Sequence, residues 1–247
     1  MVPLRDSIPS RTTPLVTRGL ILANALAFFF ELALSPSALQ QLFYLFGIVP
    51  ARYAHPSVVA WVGLPPPDFW PLLTHQFLHG GWTHFLGNMW TLWIFGDNVE
   101  DRMGHVRFLV FYLLCGVAAG VVQILSDPDS TVPCIGASGA ISGVLGAYLL
   151  WYPHSRLIMF IPIFFLPYFF EIYAALYLVW WFLIQLFSGT LSLLAPGQSG
   201  GIAWWAHIGG FVAGAVLCWV FRRPPRKWGR AVQPDEYGIE WAWGPYR

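Results

Sequence analysis

Charge is what this chain of 247 residues has least of. Aspartate, glutamate, lysine and arginine together make up 10% of it, against about 25% in an ordinary soluble domain. So little charge argues against a water-exposed globular fold and for an integral membrane protein. Thirteen basic residues against twelve acidic ones leave a net charge of +1. No field of one sign is available to hold a nucleic acid, and no nucleic-acid partner is expected. Cysteine is equally scarce. Cys115 and Cys218 sit inside apolar runs and Cys134 in a loop, so they read as free thiols, with neither a disulfide framework nor a metal-ligand spacing. The N-terminal stretch, polar and carrying Arg5 and Arg11, contains no short apolar core ending at a small-residue cleavage site. It does not read as a cleaved signal peptide.

What the chain has in abundance is hydrophobic sequence, at 57%. Crossing the hydrocarbon takes about 20 apolar residues. Six segments qualify, near Thr17–Leu34, Leu78–Phe95, Val106–Leu125, Gly136–Tyr152, Glu171–Phe187 and Ala203–Phe221. The expected fold is an all-α membrane protein, a bundle of six transmembrane helices. Residues 15–222 form the bundle, 1–14 an N-terminal tail and 223–247 a C-terminal tail. The long loop after the first segment is rich in proline and in Phe43, Tyr44, Phe46, Trp61, Phe69 and Trp70. It reads as an interfacial structure on the bilayer. Arg156–Phe170, apolar but broken by Pro162 and Pro167, reads as a short, partly inserted loop, and 195–201 as a flexible connector.

The basic residues orient this bundle. With six spans, Arg5, Arg11, Arg18, Arg102, Arg107, Arg156, Arg222, Arg223, Arg226, Lys227, Arg230 and Arg247 share one side, and Arg52 alone takes the other. The positive-inside rule makes the first side, with both termini, cytoplasmic. The cluster from Arg222 to Arg230 reads as an anchor to the lipid surface.

In that orientation the second, fourth and sixth spans all begin at the outer face. His79, His84 and Asn88 lie early in the second, Ser138 opens the fourth, and His207 is about one turn into the sixth. Polar groups inside spans are costly and by default mark function. Ala206, Gly210 and Gly214 form a row of small residues beside His207. Ser138, Ser142 and Gly146 repeat at four, next to Gly139 and Gly143. Such rows let helix backbones approach closely, as a serine–histidine hydrogen bond requires. Taken alone, Ser138 reads more readily as a packing serine, and a single membrane histidine equally well as a structural one. Together they suggest a nucleophile and its base. His84 and Asn88, four apart on one helix face, can both donate hydrogen bonds to an oxyanion, although interhelical hydrogen bonds alone would also explain them. No carboxylate lies near this depth in the fourth or sixth span, which favours a dyad over a triad.

At these residues the chain resembles the rhomboid intramembrane serine proteases. The matching stretches are Phe77-Leu78-His79-Gly80-Gly81-Trp82-Thr83-His84 through Asn88, Val99-Glu100-Asp101-Arg102-Met103-Gly104, Gly136-Ala137-Ser138-Gly139 and Ala206-His207-Ile208-Gly209-Gly210. The resemblance implies a dyad of Ser138 and His207, with His84, Asn88 and the Ser138 backbone N–H forming the oxyanion hole. Glu100 and Arg102 would brace the second-to-third loop. The fifth span and the connector after it would form gate and cap. Its substrates would be transmembrane proteins cut in or beside a membrane segment, with lipid as the surrounding partner and neither metal nor organic cofactor. The compact form resembles the bacterial members, implying a plasma membrane. Two positions depart from the pattern of some members. Ser142 replaces an aromatic that stacks on the catalytic histidine, and Trp70-Pro71 replaces Trp-Arg in the first loop. The competing expectation is a non-catalytic relative that binds and escorts membrane clients.

Overall fold

Glycine sets the closest helix contacts in the computed structural model, which describes residues 2–57, 68–163, 166–194 and 202–223. Helix α7 (Ser138–Trp151) has eleven of its fourteen residues buried, which makes it the central helix. It packs backbone to backbone on α9 (Trp204–Phe221). A Cβ at Gly210 would overlap the Gly139 carbonyl, one at Gly214 the Gly143 carbonyl, and one at Gly146 the Phe211 carbonyl. On its other side α7 meets α6 (His105–Ser126). There Gly143 leaves room for Cys115, and Gly139 for Ala119. The row facing α9 thus runs through Gly139 and Gly143. Ser142 turns back along its own helix, its Oγ donating to the Ser138 carbonyl at 2.6 Å.

Around this centre stand α1 (Leu15–Leu32), α5 (Trp82–Met103) and α8 (Ala174–Leu194). Between α1 and α5 lie α2 (Pro36–Phe46), α3 (Pro50–Ala54), α4 (Pro71–Thr74) and a 3₁₀ turn at His75–Phe77. Each of the three short helices begins with proline, which suits the first helical position because its N–H would be unpaired there anyway. Trp61 of the expected interfacial loop and the connector 195–201 lie outside the described residues.

All six predicted segments contain a helix. Four of them, α1, α6, α8 and α9, are long and apolar enough to cross a membrane. Helix α7 is apolar but has fourteen residues, about 21 Å at 1.5 Å per residue. Helix α5 reaches 22 residues but carries Asp97, Glu100, Asp101 and Arg102 near its end. Large apolar side chains face outward, including Leu22, Leu26 and Phe29 on α1, Trp180 and Phe187 on α8 and Val216 and Trp219 on α9. A surface this apolar is that of an integral membrane protein.

The all-α expectation is corrected by a three-stranded antiparallel sheet in the order β1 (Val2–Asp6), β2 (Arg156–Ile163), β3 (Leu166–Tyr173). Asp6 pairs with Leu157, and Arg156 with Tyr173. The segment from 156 onward is therefore a strand rather than an inserted loop. Its burial alternates with period two: Leu157 and Met159 point into the core, while Arg156 is exposed. Pro162 stands opposite Pro167, a pairing that works only where the ladder asks for no N–H. Because Glu171–Tyr173 belong to β3, α8 begins three residues later than expected.

Acidic residues tie the helix ends together beside this sheet. The fully buried Glu100 carboxylate accepts from the Val16 N–H at 2.9 Å, from the Thr17 N–H at 2.7 Å, from the Thr17 hydroxyl at 2.6 Å and from His105 Nδ1 at 2.6 Å. It thereby satisfies two of the orphan N–H groups that open α1. Asp101 accepts from the Thr12 hydroxyl at 2.6 Å. The Arg102 guanidinium lies over the rings of Trp151 and Tyr152, at 5.0 and 5.5 Å.

Candidate active site

The glycine contacts decide which side chains meet at the other end of α7 and α9. Ser138 is the first residue of α7, and His207 the fourth of α9. With the two backbones in contact one turn further along, Ser138 Oγ lies 2.9 Å from His207 Nε2. Both residues are half-buried, so the pair opens to the surface. As the first residue of its helix, Ser138 also has a backbone N–H with no intrahelical partner.

The other ring nitrogen of His207 is also occupied. Nδ1 lies 2.8 Å from Gln185 Oε1, and Gln185 is buried on α8. The amide nitrogen of Gln185 donates to the Trp181 carbonyl at 3.2 Å, which turns its oxygen towards the ring. An amide oxygen only accepts, so a neutral imidazole that keeps this bond carries its proton on Nδ1 and presents the Nε2 lone pair to Ser138. Trp181 and Trp204 flank the imidazole, with ring centroids 6.0 and 6.3 Å away.

His84 approaches from α5. Its Nε2 lies 2.5 Å from where a Cβ on Gly136 would stand, and Ser138 Oγ lies 3.6 Å from the same point. Gly136 has φ +124°, so both its backbone and its surroundings demand glycine. Its N–H donates to the His75 carbonyl at 2.8 Å, fixing the turn that leads into Ser138. Asn88 lies one turn beyond His84, with Nδ2 3.1 Å from His79 Nε2. His79 precedes α5, and its backbone N–H donates to the buried Glu31 carboxylate of α1. The structure thus brings Ser138 and His207 into contact, sets His84 across Gly136 from them, and engages Asn88 with His79. An open depression of about 380 Å³ lined by Gly80–His84 adjoins this cluster.

Two residues of the neighbourhood are absent from the sequence reading. Gln185 interrupts an apolar run from Trp180 to Phe187, and Gln123 another in α6. Gln123 Oε1 accepts from the Ala206 N–H at 3.2 Å and caps α9 just before His207. The signal that picked out His207, an amide or imidazole inside a span, also applied to both.

Residues 66–224 match the Rhomboid domain family. The chain belongs to the rhomboid family. Among its relatives are YdcA and GluP of Bacillus subtilis, both named as rhomboid proteases. YdcA is 35% identical over 120 residues, covering 45% of this chain and 58% of YdcA. GluP is 42% identical over 82 residues, covering 33% of this chain and 16% of GluP. RHOMBOID-like protein 4 of Arabidopsis thaliana is 30% identical over 181 residues, 69% of this chain and 40% of that protein. The matched part of this rhomboid chain thus spans less than two thirds of the length of each of these relatives.

Proposed function

We propose that this rhomboid protein is an intramembrane serine endopeptidase that cuts transmembrane or juxtamembrane segments of other membrane proteins. The observation that carries the reading is the 2.9 Å approach of Ser138 Oγ to His207 Nε2. In the proposed reaction His207 Nε2 takes the hydroxyl proton as Ser138 Oγ attacks the peptide carbonyl. The C–N bond then breaks, the imidazolium gives its proton to the leaving amine, and an acyl-enzyme remains. Water, deprotonated by the same nitrogen, releases the acyl group as a carboxylic acid and restores Ser138. His84, the second amide hydrogen of Asn88 and the Ser138 N–H supply the donors for the oxyanion, an element worth about 10²- to 10³-fold per donor.

The length of α7 supports a recessed site. About 21 Å of helix is shorter than a hydrocarbon core of ~30 Å, so a helix seated at the inner face ends with Ser138 below the outer one. Orientation follows from the basic residues. Arg11, Arg102, Arg107, Arg222 and Arg223 gather by contact at the end opposite Ser138, which supports cytoplasmic termini. A bacterial plasma membrane, residues 15–222 as the catalytic unit, and the span α8 with the connector after it as the gate and cap complete the proposal.

Labelling of the detergent-solubilised protein with a fluorophosphonate tests this reading. Labelling of the wild type, lost in Ser138→Ala and His207→Ala, is expected. A folded wild type that does not label would overturn the reading and favour a client-binding relative without catalysis.

A further inference from the structure

Three helices, rather than the two that carry the dyad, converge on the His207 ring. Helices α7 and α9 are fixed to each other by backbone contact through their glycines. Helix α8 meets no such constraint against α7, yet Gln185 reaches from it to His207 Nδ1 at 2.8 Å. The position that could have held an aromatic against the ring from α7 is Ser142, whose hydroxyl is spent on the Ser138 carbonyl. Among the described residues, the groups that hold the imidazole from the side away from Ser138 therefore come from α8 and the start of α9: Gln185, Trp181 and Trp204.

We propose that Gln185 is the positioning residue of the dyad, holding His207 in the tautomer with the proton on Nδ1 and the lone pair on Nε2. The proposal deepens the protease reading and rests on it. Two ends of one amide make the assignment specific. The nitrogen is committed to the Trp181 carbonyl one turn back along α8, so the oxygen cannot exchange with it without losing that bond. An imidazole with no partner on Nδ1 distributes its proton over both nitrogens, and every molecule with the proton on Nε2 has no base for Ser138. The ring would also rotate more freely about its Cβ–Cγ bond. Burial adds to the specificity: Gln185 is 4% exposed, so water does not readily replace it.

The rate at which the fluorophosphonate labels Ser138 reads nucleophile activation without knowledge of the substrate. In Gln185→Met, which keeps the length and removes the acceptor, the maximal labelling rate is expected to fall about tenfold, equivalent to ~1.4 kcal/mol. Half-saturation by the probe should stay unchanged. Gln185→Glu keeps an acceptor for Nδ1 but gives up the donor to the Trp181 carbonyl, and is expected to label faster than Gln185→Met though slower than wild type. In parallel, nitrogen-15 spectra of histidine-labelled protein should show a protonated Nδ1 for His207, identified by the signal lost in His207→Ala. That signature should become a tautomer mixture in Gln185→Met. Equal labelling rates for wild type and a folded Gln185→Met, or a wild-type His207 protonated on Nε2, would overturn the proposal. So would labelling by a folded Gln185→Glu that is no faster than labelling by Gln185→Met. A wild type that does not label at all would instead sink the protease reading, while the tautomer measurement would still decide the role of Gln185.

Discussion

Gly210 and Gly139 stand so close that a single added carbon on Gly210 would occupy the space of the Gly139 carbonyl oxygen. This contact lies one turn from His207 on α9 and involves the residue after Ser138 on α7, so it controls the separation of the two side chains. A methyl at 210 cannot be absorbed by a rotamer change, because the opposing atoms are backbone.

Gly210→Ala is therefore expected to destabilise the protein by about 1–3 kcal/mol, the usual range for overpacking. It should also abolish fluorophosphonate labelling in the fraction that stays folded, because a hydrogen bond of 2.9 Å has little slack. Gly87→Ala is the control. A Cβ there meets nothing within 4 Å, and an exposed helical glycine gains stability from alanine. Thermal unfolding in detergent, read beside labelling, separates the two effects. Wild-type labelling by Gly210→Ala would disprove the glycine contact as the spacer.

Gly136 makes a different demand. Alanine there must adopt φ +124° and place its Cβ 2.5 Å from His84 Nε2. The expected outcome for Gly136→Ala is displacement of the His84 ring with the helix bundle intact. Turnover should then fall by about 10²- to 10³-fold, the loss typical of one oxyanion donor. His84→Ala should cost a similar factor, and the double variant little more than either single one. Additive losses in the double variant would mean that Gly136 acts by another route.

The small-residue rows of α7 and α9, and the histidine beside one of them, were legible because period-four spacing survives whatever surrounds a helix. Ser138 and His207 stand out by their shared depth and by the family resemblance, and the rows only allow the two helices to approach. The strand from Arg156 to Ile163 was not legible as such. An apolar run interrupted by prolines looks alike as a bent insertion and as one arm of a hairpin, and the partner strand Val2–Asp6 lies far away in sequence, with Asp6 paired to Leu157 and Val2 to Phe160. Gln185 escaped for a geometric reason. Depth marks a polar residue only at the start of a segment entering from the outer face, whereas α8 runs the other way and carries Gln185 twelve residues in. Its depth becomes comparable with that of His207 only once α8 is packed on α9. The extension of α5 through Asp97–Met103 likewise depends on partners distant in sequence, chiefly the α1 N-terminus held by Glu100.

Glu100 is buried with four donors directed at it. Glu100→Gln keeps the shape but turns one oxygen into a donor that faces the N–H and hydroxyl of Thr17 or the ring of His105. Hydrogen bonds to a charged group contribute about 1.5–3 kcal/mol each, and a mismatched buried pair costs more than an absent one. The variant should lose roughly 3 kcal/mol or more of stability, seen as a lower melting temperature. The folded fraction should still label at Ser138, because Glu100 lies at the opposite end of the bundle. Loss of labelling without loss of stability would assign Glu100 to the site instead of the brace.

Asp6 gives the fold a pH dependence of unusual sign. Its Oδ2 accepts from the Tyr148 hydroxyl at 2.5 Å and from Asn98 Nδ2 at 2.8 Å, which docks β1 against α7 and α5. Burial nevertheless pushes its carboxyl up to about 6, with the nearby Asp97 adding repulsion and the Tyr148 hydroxyl partly offsetting both. The folded value lies above that of the free side chain, near 3.9, so the folded state binds the proton more tightly. The stabilisation is complete below about pH 3.9 and is lost as pH rises through about 6. Docking of β1 should therefore tighten on acidification from pH 7 to pH 4, by ~2 kcal/mol at most. Slower amide exchange across residues 2–6 at the lower pH, after correction for intrinsic exchange, is the expected signature. Asp6→Asn, which mimics the protonated acid, should give the slow exchange at both pH values. Protection in the wild type that instead increases towards neutral pH would show that the carboxylate, and not the acid, is the form that holds the strand.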